Sequence, residues 1–143
     1  MKEVIWEGSP EKELLSMLLE NIDKFYDSND VKIKKLTELR IAFEEMYVNV
    51  VQYAYPQDQF DQNKKMVRII LQWEEMKREA RIQIIDRGIP YNPLNKADPD
   101  CTSSAEQRPI GGLGIHMVKR MTDEMQYSYC KEENHVTLIK VLV

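Results

Sequence analysis

Three of the five glycines in this chain lie within four consecutive residues, Gly111-Gly112-Leu113-Gly114. A segment with helical apolar periodicity follows at once, from about residue 113 to residue 123. Glycine tolerates positive φ and leaves the backbone uncovered, so the cluster predicts a tight junction between a loop and a helix. The first turn of a helix offers unpaired N–H groups and the positive end of the helix dipole. The junction is therefore a candidate anion site, most often for phosphate, although glycines are also common in ordinary loops.

The composition is that of an ordinary globular domain. The chain has 143 residues, of which 43% are hydrophobic and 31% are charged. This is enough apolar material for a sizeable core and too much for a disordered chain. The formal net charge is −4, and no block of basic residues stands out. We therefore expect a single domain over residues 1–143 and no nucleic-acid partner.

The two cysteines, Cys101 and Cys130, form no C-x-x-C pair, so a zinc or thiol-redox site is not indicated. Free thiols in a reducing compartment are a simpler interpretation than a disulfide. No stretch is long and apolar enough to cross a bilayer, and the N-terminus lacks the apolar core of a signal peptide. The sequence thus predicts a cytoplasmic protein with no membrane partner.

The first half of the chain predicts a short strand and two helices. Residues 4–7 are typical of an edge strand. Ser9 precedes a proline and is the expected N-cap of a first helix that runs to about residue 26. A second helix is predicted from about residue 33 to residue 55, where Pro56 ends it.

The second half predicts two antiparallel hairpins. Residues 66–73 and 80–86 alternate between apolar and polar side chains and form the first pair. The final strands are expected at residues 126–131 and 136–143, joined through residues 132–135. Helices and hairpins together predict an α+β sandwich, with helices packed on one face of a mixed, largely antiparallel sheet.

A long irregular segment separates the hairpins. Four prolines interrupt residues 88–109, and no periodicity survives there. Such a segment in a small domain predicts either a lid over a site or a disordered loop. Arg108, just before the glycine cluster, is placed to reach a phosphate or to be a solvated charge.

Two polar positions on the second helix share one face. Glu45 and Asn49 are four residues apart and lie away from the apolar stripe of that helix. The amide oxygen of Asn49 is a hard ligand that suits Mg²⁺, and the carboxylate of Glu45 could accept a proton from an attacking hydroxyl. The alternative is a solvated helix face.

A second polar motif, Asp86-Arg87-Gly88-Ile89-Pro90, ends a predicted strand. The carboxylate of Asp86 could accept a hydrogen bond from a ligand amine, and Gly88 would let a flat ring approach the backbone. The alternative is an ordinary D-x-G turn.

The order of these motifs resembles the GHKL ATPase superfamily, and within it the small anti-sigma-factor serine/threonine-protein kinases of bacterial partner-switching systems. The matching segments begin with Glu45-Met-Tyr-Val-Asn49 and Asp86-Arg-Gly-Ile-Pro90. The glycine cluster and the helix after it complete the match, and the likeness in layout extends from Glu3 to Val143.

The resemblance implies ATP and Mg²⁺ as cofactors and assigns residues both to the adenine ring and to the reacting phosphate. Asp86 would take the adenine amino group, with Gly88 and Pro90 beside the ring. Asn49 would ligate Mg²⁺, and Glu45 would be the general base.

The resemblance also assigns the phosphate end. The four residues Gly111, Gly112, Leu113 and Gly114 would hold the phosphates together with Arg108. Residues 95–110 would form the lid.

The chain departs from the family pattern at two places. The family usually has His-Ala-Tyr where this chain has Tyr53-Ala54-Tyr55. The glycine–threonine pair expected before the final strand is replaced around residues 133–135. Thr137 is the remaining threonine that would face the nucleotide.

The implied activity is transfer of the ATP γ-phosphate to a Ser or Thr of an anti-sigma-factor antagonist. A sigma factor or another regulator would be a further partner, and a homodimer is left open. The same pocket would serve a non-catalytic, ATP-binding switch that sequesters a partner according to nucleotide state. An ATPase module of a larger machine is a third interpretation. Glu45 and Asn49 are both present, so loss of catalysis is not indicated.

Overall fold

The computed structural model describes residues 1–27, 30–95 and 112–143. Five antiparallel strands form one sheet in the order β1-β2-β3-β5-β4. The strands are β1 (Lys2–Gly8), β2 (Val67–Glu74), β3 (Glu79–Asp86), β4 (Glu124–Cys130) and β5 (Glu133–Val141). The helices are α1 (Leu15–Asp27), α2 (Ile33–Asn49) and α3 (Gly112–Met121), with 3₁₀ turns at Lys12–Leu14 and Pro93–Asn95 and a π-helix at Val50–Ala54. None of the helices in these described ranges is long and apolar enough to cross a membrane.

The helices cover one face of the sheet, and the core lies between the two layers. Strand geometry sends alternate side chains to opposite faces, and the apolar set of β2 and β3 points to the helices. Each valine, leucine or isoleucine of this set contributes about 1.5–3 kcal/mol when fully buried. The members of this set are Val67, Ile69, Leu71, Trp73, Ala80, Ile82 and Ile84. The α+β sandwich predicted from the sequence is confirmed.

The start of the first helix differs from the prediction. The helix begins after Glu11, through a short 3₁₀ turn, and Ser9 does not cap it. Instead, the Ser9 hydroxyl donates to the Glu11 carboxylate at 2.7 Å. The Tyr47 hydroxyl donates to the Glu11 carbonyl at 2.6 Å and accepts its N–H at 3.0 Å. A contact with α2, 36 residues away in sequence, therefore fixes this junction.

The second helix changes its winding at the end that faces the site. It was predicted as one helix to residue 55, but α-helix ends at Asn49 and a π-helix continues to Ala54. Pro56 disfavours helical geometry at the residue before it, and Tyr55 has φ −125° and ψ 74°. The wider turn leaves the Ala54 carbonyl free to bind the loop after β3, where the Ile89 N–H donates to it at 2.9 Å.

The last hairpin has a tighter turn than predicted. Only Lys131 and Glu132 form it, with φ of 54° and 63°, as in a type I′ turn. Residues 133–135 were expected in the connection, but they belong to β5, where Asn134 pairs with Asp86 of β3. Two consecutive non-glycine residues at positive φ are uncommon, so a polar four-residue stretch gave no indication of so short a turn.

Candidate functional site

A cleft of about 450 Å³ of empty space, including its open mouth, lies between the end of α2 and the sheet. Its walls are mostly apolar, with a few polar groups that converge on it, as is typical of small-molecule sites. The lining residues are Met46, Asn49, Val50, Tyr53, Ala54, Ile84, Asp86, Ile89, Tyr91, Asn134 and Val136.

Asp86 is the buried acid of this cleft, with 7% of its surface exposed. Its Oδ1 accepts the Gly88 N–H at 2.8 Å and the Asn134 amide at 2.9 Å. Burial raises the pKa of this carboxyl, and the hydrogen bonds from Asn134 and Gly88 oppose that rise. Its Oδ2 has no hydrogen-bond partner among the described residues. This cleft-lining carboxylate can therefore accept one further N–H from a ligand.

The structure gives a reason for glycine at position 88 that differs from the predicted approach of a flat ligand ring. A Cβ at this position would overlap the backbone carbonyl of Ala54. The absence of a side chain lets the loop dock on the π-helix. Gly88 and Pro90, which were expected beside the ring, do not line the cleft, whereas Ile89 between them does.

Tyr55 holds the same loop from the side of α2. Its hydroxyl accepts the Arg87 N–H at 2.7 Å and donates to the Met66 carbonyl at 2.5 Å. Burial raises the pKa of the Tyr55 phenol, which keeps the hydroxyl protonated and able to donate. The hydroxyl thus joins the end of the π-helix, the start of β2 and the residue after Asp86. This role of Tyr55 was not predicted from the sequence.

Asn134 holds the loop from the side of β5 and is 3% exposed. It was missed because it was expected in a turn. Its amide NH₂ donates to Asp86 Oδ1 at 2.9 Å and to the Ile89 carbonyl at 3.0 Å. Its carbonyl accepts the Tyr91 N–H at 3.1 Å and the Tyr127 hydroxyl at 2.6 Å. A buried amide with both ends satisfied fixes the position of every group it contacts.

The two polar residues predicted to share a face of the second helix lie in different surroundings. Asn49 lines the cleft together with Asp86. One turn earlier, Glu45 lies against α3, where a Cβ on Gly114 would overlap its carboxylate. Helix α3 therefore packs on α2 with its glycine end beside Glu45. The structure thus brings Glu45 beside Gly114, whereas Asn49 lies in the cleft, whose described lining includes no residue of α3.

Parts of the predicted site lie outside the described residues. These are Arg108, Gly111 and all of the predicted lid except its first residue, which ends the Pro93–Asn95 turn. Gly112 and Leu113 form the first turn of α3, one residue earlier than predicted.

Thr137 does not face the cleft, which corrects the prediction for this residue. It alternates with Val136 and Leu138, both buried against the helices. Its neighbours across the strands are Gln83 and Gln126. Strand alternation therefore places Thr137 on the opposite face of the sheet, away from the base.

Comparison with known proteins defines the class of this fold and site. Residues 9–140 match the family described as the histidine kinase-like ATPase domain. The match covers most of the chain, and the chain therefore belongs to this family. The resemblance predicted from the motifs is confirmed.

More particular similarities point to one branch of that family. Two relatives named serine-protein kinase RsbW, from Bacillus cereus strain AH820 and from Bacillus anthracis, are 27% identical over 95 residues. These alignments cover 64% of this chain and 55% of each relative, so the chain spans about half the length of the curated relatives it matches. The crystal structure of the RsbU and RsbW domains of Rv1364c from Mycobacterium tuberculosis shares the fold, with a TM-score of 0.67 at 13% identity. That similarity covers 99% of this chain and 33% of the other.

Proposed function

We propose that the cleft binds ATP, with the adenine amino group donating to Asp86. The observation that carries the proposal is the unequal use of the two carboxylate oxygens. Oδ1 is saturated by Gly88 and Asn134, whereas Oδ2 has no partner among the described residues. This cleft-facing acceptor can take a hydrogen bond from the amino group of a flat, largely apolar ring. Ile84, Ile89 and Val136 supply apolar surface for such a ring.

The phosphates extend, in this proposal, toward Asn49 and the first turn of α3. Helix starts with glycines suit phosphate because the backbone N–H groups are accessible and the dipole is favourable. The amide oxygen of Asn49 is a hard donor at the cleft wall and fits Mg²⁺. When bound, Mg²⁺ would neutralise charge on the phosphate oxygens.

Glu45 is the proposed general base of phosphoryl transfer. It lies one helical turn from Asn49, a Cβ separation of about 5–6 Å. Its carboxylate lies beside Gly114, so it is close to the proposed phosphate end rather than to the base. In this position Glu45 would accept the proton of an attacking hydroxyl, and Asn49 would hold the metal.

The proposed acceptor is a Ser or Thr of an anti-sigma-factor antagonist, with a sigma factor or another regulator as a second partner. The relatives are named serine-protein kinases, which supports a protein serine as acceptor, and the resemblance of the motifs implies the antagonist. The proposed setting is the cytoplasm. A non-catalytic ATP-binding switch would use the same cleft and differs only in the absence of transfer.

Incubation with labelled ATP, Mg²⁺ and candidate antagonist proteins from the same organism tests the activity. We expect label on a partner, and a loss of about 10²- to 10⁴-fold in transfer rate for Glu45→Gln with ATP binding retained. Glu44→Gln is the matched control, because Glu44 is the exposed neighbour on the same helix. An unchanged rate in Glu45→Gln would remove Glu45 from the mechanism. ATP-modulated partner binding without transfer would support the switch.

A further inference from the structure

One buried side chain connects the proposed acceptor of the adenine amino group to the loop after β3 and to β4. Asn134 contacts Asp86 at the end of β3, the loop at Ile89 and Tyr91, and Tyr127 on β4. These groups are 7 to 48 residues away from it in sequence. Asn134 is the residue through which β3, β4, β5 and the loop after β3 meet.

We infer that Asn134 is the positioning residue of base recognition: its amide group holds Asp86 with Oδ1 occupied and Oδ2 available to the nucleobase. The inference rests on the proposed ATP site and deepens it. Asn134 need not touch the nucleotide to do this. It acts through the carboxylate of Asp86 and through the loop residues that line the cleft.

The hydrogen bonds show why an amide is required at this position. The side chain must donate in one direction, to Asp86 and Ile89, and accept in the other, from Tyr91 and Tyr127. An ionised carboxylate of the same shape accepts but does not donate. It would place two like charges together in a buried site, which strongly favours retention of one proton by the pair.

The charged and titratable groups around Asp86 are the same in wild type and in every variant of Asn134. His135 of β5, Tyr127 of β4 and Tyr55 after the π-helix each interact electrostatically with Asp86. Glu133 pairs with both Arg87 and His135, at 3.1 and 3.2 Å, next to the Asp86–Asn134 pair. Because these groups are the same in wild type and variant, a difference between the two proteins at one pH arises from the substitution.

Asn134→Asp gives a test because ATP affinity should recover as the pH falls, a direction that a merely structural role would not produce. When the acid pair holds one proton, the hydroxyl of the protonated Asp at position 134 replaces the amide donor to Asp86 Oδ1. When the pair is fully ionised, the two side chains repel and the acceptor is displaced. We therefore expect ATP affinity relative to wild type to be at least about tenfold lower near pH 8 and to recover to within about twofold near pH 6. Titration calorimetry with Mg-ATP at each pH measures the ratio.

The matched control is Asn63→Asp, which makes the same charge change at an exposed loop position. We expect its affinity ratio to wild type to stay near one at both pH values. A ratio for Asn134→Asp that does not change with pH, or that worsens as the pH falls, would overturn the inference. Absence of ATP binding by wild type would instead reject the proposed function itself.

A second variant decides the question if Asn134→Asp does not fold at high pH. Tyr127→Phe removes only the hydroxyl that donates to the Asn134 carbonyl at 2.6 Å. We expect an intact fold by circular dichroism and ATP affinity lower by about two- to tenfold, because the amide is held less firmly. Wild-type affinity in a folded Tyr127→Phe protein would contradict the positioning role.

Discussion

Replacing Asp86 by asparagine tests how the cleft selects its base. Oδ1 of Asp86 receives two donors, the Gly88 N–H at 2.8 Å and the Asn134 amide at 2.9 Å. In Asp86→Asn the same two donors require the new carbonyl oxygen to stay in that position. The new NH₂ group must then occupy the place of Oδ2. The substitution therefore exchanges an acceptor for a donor at one atom, with little change in shape.

The cost to ATP binding follows from that exchange. The adenine amino group loses a charged acceptor and meets a donor, which costs roughly 1–3 kcal/mol, or about 5- to 150-fold in Kd. The fold should not lose stability, because the variant removes a buried charge whose pKa burial has raised. A 6-oxopurine nucleotide such as ITP presents an acceptor at the same ring position, and its affinity relative to ATP should rise.

Titration calorimetry with Mg-ATP and Mg-ITP on wild type and Asp86→Asn measures both effects, and thermal melting checks the fold. Asp58→Asn, in the exposed loop after Pro56, is the control for the charge change. Wild-type ATP affinity in Asp86→Asn would refute the assignment of Asp86. So would equal losses for ATP and ITP, since they would indicate damage to the cleft rather than a change of acceptor.

The pH dependence of binding supplies an independent check on the same carboxylate. Because Oδ1 already accepts two donors, a proton on Asp86 belongs on Oδ2, where it replaces the acceptor by a donor. The pKa of Asp86 is raised by burial. Wild-type ATP affinity should therefore fall as the pH decreases through that raised pKa, above the usual aspartate range near about 4. Asp86→Asn should not show this component. Identical pH profiles for the two proteins would contradict the assignment.

Three further predictions concern the scaffold of the site. Gly88→Ala should destabilise the protein by about 1–3 kcal/mol in urea unfolding, because its Cβ would overlap the Ala54 carbonyl. Tyr55→Phe should cost about 0.5–1.5 kcal/mol, because the hydrogen bonds of this hydroxyl with the Arg87 N–H and the Met66 carbonyl are lost, and Tyr129→Phe, at an exposed position, should cost almost nothing. Glu38→Ala should cost about 2–3 kcal/mol, since it leaves the buried ammonium of Lys140 without the carboxylate 2.9 Å away. The hydrogen bond from Lys140 lowers the pKa of Glu38. The stability that this ion pair contributes is therefore present above the usual glutamate range and is lost as the pH falls through the lowered pKa. Equal loss of stability on acidification in wild type and Glu38→Ala would contradict this prediction.

The elements of the fold could be predicted from the sequence because their causes are local. Alternation along β2 and β3 and helical periodicity in α1 and α2 reflect which side chains of neighbouring residues reach the core. Predicted bounds for these elements agree with the structure to within a few residues, with two exceptions. The predicted start of the first helix at Ser9 preceded α1 by six positions, and the predicted end of the second at residue 55 lies six positions beyond α2. The motifs that carry the resemblance are also short. Asp86 and Asn49 were therefore recognisable from a few residues around each.

The groups that complete the cleft were decided by tertiary structure. Asn134 reaches Asp86 across 48 residues of chain, and Tyr55 reaches the Arg87 N–H across 32. The Asn134 contact depends on the register in which β5 pairs with β3, and the Tyr55 contact depends on how the end of α2 packs against the loop after β3. Gly88 was recognised as a special position, but its neighbour proved to be the Ala54 backbone rather than the cleft. A sequence determines which side chains are able to donate, accept or pack, whereas the packing of distant strands and helices decides which of them meet.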